Sequence, residues 1–144
     1  MIGQKQVLSQ TEVEAFIGRL PDAQRVDAFG YALYFVGGDR RLPFATIASS
    51  DSEFDNVSNL EREGVYRLNI GVSKETFRRL FGEREPQVVD YTELDVFMPH
   101  PHYSRQHFIC ILNPRGDNAE QAKRLVEEAH SIAAARWKRK QKGS

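Results

Sequence analysis

LDVFMPHPHYSRQHFICILNP, residues 94–114, decides the fold. It reads as a strand, a stiff corner at Pro99-His100-Pro101-His102, and a second strand, FICIL, that delivers the chain into a long helix. Each proline fixes its own φ and pushes the residue before it into extended backbone, which makes the corner rigid. The stretch holds three of the four histidines, three of the six prolines and the only cysteine. FICIL is strand-length and rich in aromatic and β-branched residues, as a packed strand requires.

Working outward, YRLNIGV alternates: Tyr66, Leu68 and Ile70 on one face, Arg67 and Asn69 on the other. That pattern predicts a half-exposed strand of an antiparallel sheet. A helix follows at once, with Ser73 as cap, Val72 and Phe77 as a staple, Phe77, Leu80 and Phe81 as the buried stripe and Gly82 as the stop. At the start of the chain, Ser9 and Glu12 make a capping box, Leu8 and Val13 a staple, and Val13, Phe16, Ile17 and Leu20 a helical stripe that Pro21 ends. Between them, residues 24–50 hold two or three strands, with Gly37-Gly38-Asp39 as the turn signal. Residues 51–64 are polar and turn-rich, and Ser58 with Glu61 is suited to cap one helical turn. Residues 83–93 read as a loop crossing the fold. In the last helix Asp117 and Glu120 repeat the box pattern, and Ala122, Leu125, Val126, Ala129, Ala133 and Trp137 share one wide face. The order helix, three strands, strand–helix, strand–strand, helix argues α+β: a mostly antiparallel sheet of five or six strands with N-terminal, middle and C-terminal helices on one face.

The 144 residues fit one domain, residues 1–144, with a basic tail over 138–144 expected to fray. A net charge of zero gives no global field to draw nucleic acid or an anionic membrane. One cysteine excludes an intramolecular disulfide. With no apolar stretch near the N-terminus to act as a secretory signal, the expected compartment is the cytoplasm. The longest apolar runs, YALYFV and FICIL, are too short to span a bilayer, so no membrane partner is expected.

PFATI, YRLNIGVSKETFRRLFG, HPHY, LNP and the Ala-rich helix together resemble a bacterial family of unknown function, over residues 20–136. More distantly, the element order is similar to that of the MmcQ/YjbR family, which has a CyaY-like (frataxin-like) α+β fold. LNIGVSKETFRRL corresponds to that family's strand running into a helix, and MPHPHYSRQHF echoes the segment before its Asn-Lys-x-x-Trp strand. The Asn-Lys and the Trp of that strand are absent here. So is the acidic ridge with which frataxins bind iron, since the first helix carries only Glu12 and Glu14. The resemblance implies the shape, and the suggested DNA binding of MmcQ/YjbR-like proteins implies a nucleic-acid partner.

Two places carry candidate chemistry. On an extended corner, His100 and His102 point the same way, and with His107 they make a three-histidine set of the kind that holds a metal with one position open. Against that stands a rigid surface corner, and neither metal nor cofactor is expected. Gly38 belongs to no G-x-G-x-x-G or P-loop pattern. Arg67, Asn69, His100, His102, Tyr103 and His107 form the candidate ligand cleft, with Arg67 suited to carboxylate or phosphate. Cys110, among apolar neighbours, reads as buried and inert, and His130 as a satisfied histidine. The second place is the basic end of the last helix. There Arg136, Trp137, Lys138, Arg139, Lys140 and Lys142 are candidates for phosphate contact and base stacking. The leading expectation is a small non-enzymatic binding module, with nucleic acid as the partner. A small-ligand or metal-binding enzyme at His100, His102 and His107 is the alternative, and a homodimeric interaction domain the third.

Overall fold

Ser9 caps the first helix, α1 (Gln10–Gly18), in both directions. Its hydroxyl accepts from the Glu12 N–H at 3.1 Å, and its own N–H donates to Glu12 Oε1 at 3.0 Å. The computed structural model describes residues 6–83 and 88–143. After α1 come β1 (Ala23–Ala28), β2 (Tyr31–Val36), β3 (Ala45–Ala48) and β4 (Arg67–Gly71). Then follow α2 (Lys74–Phe81), a two-residue β5 (Met98–Pro99), a 3₁₀ turn (Ser104–Gln106), β6 (Phe108–Leu112) and α3 (Gly116–Lys142). The six strands form one sheet in the order β1-β2-β3-β4-β6-β5, and every neighbouring pair is antiparallel. The fold is α+β, as the element order implies.

Strand register sorts the side chains into two faces. Ala32, Ile47, Leu68 and Ile111 are aligned across four strands, and so are Tyr34, Ala45, Ile70 and Ile109. These rows meet Val13 and Ile17 of α1 and Ala122, Leu125, Val126, Ala129 and Ala133 of α3, with Phe77, Leu80 and Phe81 of α2 at the margin. The alanines let α3 lie close against the sheet. His130 in α3 packs edge-on against Phe44 and bonds the Pro21 carbonyl through Nε2 at 2.6 Å.

The other face carries Leu33, Thr46, Asn69, Cys110 and Met98 in one row and Tyr31, Ala48, Arg67 and Leu112 in the next. Here the sequence reading of β4 needs correcting. Arg67 and Asn69 are buried, because residues 51–64 fold across this face and bring Asp55, Ser58 and Leu60 against it. That segment forms turns, not the helical turn expected from Ser58 and Glu61. The Ser58 hydroxyl accepts from Arg67 instead of capping, and Glu61 accepts from the Asp51 N–H. Part of the expected loop over 83–93, including Pro86, lies outside the described residues. Val89 and Tyr91 from its far end pack beneath this same face.

Two further corrections concern turns and caps. The tight hairpin is β1–β2, where Phe29 (φ 57°) and Gly30 (φ 83°) are both left-handed. Gly37-Gly38-Asp39 instead opens a longer connection to β3. At α3 the cap is Arg115, without a side-chain bond, and Asp117 lies in the first turn. Helix α3 runs to Lys142, into the basic tail.

Candidate functional site

A cavity of about 1040 Å³ opens on the face away from the helices. That is at the upper end of small-molecule sites, which run to about 1000 Å³. Its floor comes from β2 and β3 through Tyr31, Leu33 and Thr46. One wall is the Pro-His corner, with His100, His102 and Tyr103, and another is Phe54 and Asp55 from the covering segment. Arg41, Leu42 and Pro43 close a third side, and Phe29 stands at the hairpin tip.

Beside the floor, on the same sheet face, runs a buried polar network centred on Arg67, which is 0% exposed. Its Nε donates to Asn69 Oδ1 at 2.9 Å, and its Nη1 to Asp55 Oδ1 and Ser58 Oγ, each at 3.0 Å. Its Nη2 bonds Asp55 Oδ2, the same oxygen that receives the Tyr31 hydroxyl. Asn69 passes the chain on, its Nδ2 donating to Thr46 Oγ1 at 2.9 Å. Burial raises the Asp55 pKa, but the hydrogen bonds from Arg67 and Tyr31 and the Arg67 charge outweigh it and hold the carboxyl below its ordinary range. The Tyr31 hydroxyl is pushed up, first by burial and then by its bond to Asp55.

The corner is built around one imidazole. His100 Nδ1 accepts from the backbone N–H groups of His102 (3.0 Å) and Tyr103 (3.1 Å). The chain then makes its 3₁₀ turn and returns through His107, which is left-handed at φ 65°. Burial, and next the nearby Arg67 charge, push the His100 pKa down to about 3, so the ring is neutral. Cys110 shares the row of Thr46 and Asn69, its thiol pushed up to about 12 chiefly by burial, which leaves the unreactive protonated form.

The structure brings together His100, His102 and Tyr103, whose rings lie 5.1–6.5 Å apart. It separates His107, whose ring packs edge-on against Phe77 of α2 at 5.7 Å. The three histidines therefore do not converge. Among the described residues no three His, Cys, Asp or Glu side chains are placed to hold a metal. Arg67 and Asn69 stand on the same sheet face, one strand over from Thr46, and do not line the cavity.

At the basic helix end, Arg136 and Lys140 both pair with Asp39, at 3.5 and 2.9 Å. Trp137 lies on the glycine turn, so close that a Cβ added at Gly37 would come within 3.0 Å of three ring atoms. Those three side chains are engaged inside the chain, while Lys138, Arg139 and Lys142 are exposed.

Residues 8–142 match the model of a family of unknown function, DUF6194. The chain belongs to the DUF6194 family. No curated protein and no solved structure matches it. The DUF6194 match spans every helix and strand described above, so the cavity lies wholly inside the family domain. In this DUF6194 domain no described helix is long and apolar enough to cross a membrane. Sequence reasoning missed Phe29, Tyr31, Leu42, Thr46, Phe54 and Asp55, which line this cavity. One signal was present: Phe54 is a lone aromatic in a polar segment, SDSEFDN, with no helical or strand period to bury it.

Proposed function

We propose that this domain is a binding module for a small, predominantly apolar molecule held in the cavity on the open sheet face. The observation that carries the reading is the rim. Of the eight exposed large hydrophobic side chains among the described residues, four line this one cavity: Phe29, Leu42, Phe54 and Tyr103. Phe29 is 91% exposed and Phe54 83%, and apolar side chains gathered around a concave site mark ligand contact. Phe29 also breaks a local rule. The first position of a tight hairpin turn with φ above zero suits Asn, Asp or Gly, and a bulky residue there costs conformational energy that packing does not repay.

Nile red, an uncharged dye that brightens in apolar surroundings, is expected to bind with one site per chain. The double variant Phe29→Asn, Phe54→Ser is expected to weaken it at least tenfold, since burying one aromatic is worth about 1.5–3 kcal/mol. Asn suits the left-handed position, so thermal stability should hold or rise in that variant. An unchanged Kd would sink the reading.

A second reading keeps the basic helix end as a nucleic-acid contact through Lys138, Arg139 and Lys142, supported by their exposure and by the distant likeness to MmcQ/YjbR-like proteins. Salt-dependent binding of DNA that is lost when these three are neutralised would favour it.

A further inference from the structure

We infer that the molecule in this cavity offers uncharged hydrogen-bond acceptors of carbonyl type to His100 in the wall and Thr46 in the floor. The inference rests on the cavity being a small-molecule site, and it concerns which chemistry that site selects.

The charged pair beside the floor is closed. All three nitrogens of Arg67 are bonded within the chain, and both oxygens of Asp55 are taken by Arg67, one of them by Tyr31 as well. Arg67 is therefore not the anion receptor that its residue type suggests. A carboxylate or phosphate reaching the floor would approach Asp55, and the arginine that lines the cavity, Arg41, stands at the mouth and not at the floor. At the mouth, Arg41 and Glu53 are both exposed and opposite in sign, so the rim adds no net field.

Hydrogen-bond direction then decides what is left. Asn69 Oδ1 is used by Arg67, so its amide nitrogen must donate to Thr46 Oγ1. The Thr46 hydroxyl has thus accepted, and its own proton meets no acceptor among the described residues. At the corner, two backbone N–H groups occupy His100 Nδ1, so a neutral ring carries its proton on Nε2. That Nε2–H also meets no acceptor among the described residues. Both side chains line the cavity, and His100 is 4% and Thr46 8% exposed. The cavity therefore offers two neutral donors, His100 in the wall and Thr46 in the floor, with no acceptor for either among the described residues. A ligand that covers these donors without offering an acceptor leaves them unpaired at a cost, and a carbonyl oxygen avoids that cost. An alkyl group leaves them unpaired, an ammonium meets donors with a donor, and a carboxylate brings an uncompensated charge.

The test compares three ligands of one skeleton as competitors of Nile red at pH 7: 2-acetylnaphthalene, 2-ethylnaphthalene and 2-naphthoate. The ketone is expected to bind about tenfold more tightly than either of the others. In Thr46→Val the ketone should lose several-fold in affinity while 2-ethylnaphthalene is unchanged, which also shows that the variant has folded. Equal binding of ketone and hydrocarbon, or tighter binding of the naphthoate, would overturn the inference and leave the cavity reading standing. A ketone preference undiminished in Thr46→Val would likewise overturn it. Failure of all three to compete, with Nile red itself insensitive to Phe29→Asn, Phe54→Ser, would remove the cavity reading and the inference with it.

Discussion

Replacing Asp55 by alanine is expected to lower the unfolding free energy by about 3–5 kcal/mol, because it strands the Arg67 guanidinium in a site with no other anion among the described residues. For a domain of this size that corresponds to a fall in Tm of roughly 10–20 °C. The comparison that isolates the cause is Asp55→Leu combined with Arg67→Met. Removing both charges together is expected to recover part of the loss, since a buried pair is of little net worth against apolar groups of similar volume. Recovery stays incomplete because Ser58 Oγ and Asn69 Oδ1 lose their donor. Chemical denaturation of the two variants beside the parent protein checks this, and a double variant no more stable than Asp55→Ala would show that charge burial is not the reason. The same pair sets an acid limit. The folded pKa of Asp55 lies below its ordinary value of 3.8, so its contribution is fully present above that value and is lost as pH falls through the folded pKa. Stability should therefore decline below about pH 4, and Asp55→Asn should flatten that part of the profile.

Gly37→Val is expected to cost about 2–4 kcal/mol. A β-branched residue at φ 58° pays the left-handed penalty of about 1–2 kcal/mol, and its Cβ collides with the Trp137 ring. Removing the ring should relieve the second part only, so the penalty should be smaller in a Trp137→Ala background. Additive effects of the two substitutions would mean that the indole is not what holds the turn. Gly38→Ala is the milder control, since its nearest contact is 3.1 Å and its φ is not left-handed.

Local signals wrote most of the fold into the chain. The Ser9–Glu12 box and the Ser73 cap are contained in four-residue patterns, and α1 and α2 begin where these place them. What misled was the alternation in β4. Arg67 and Asn69 between apolar residues look like a solvated face, but the partner that buries them, Asp55, sits in a segment with no period of its own. Equal spacing likewise made one group of His100, His102 and His107. The returning chain places His107 in a left-handed conformation after a 3₁₀ turn, and a spacing argument for extended backbone stops at such a reversal. The basic helix end was overcounted as free charge because Asp39, its counterion, lies about a hundred residues upstream, beyond any pattern along the chain.

Asp39 has one more consequence. Its carboxylate holds the Arg41 backbone N–H as well as Lys140 and Arg136, and Arg41, Leu42 and Pro43 form one side of the cavity mouth. The last turns of α3 and the entrance to the cavity therefore hang on a single tether, residues 37–44. The C-terminus becomes a remote handle on the entrance: shortening the chain before Arg136 should speed amide exchange across 37–44, and filling the cavity should slow it in the final turns of α3.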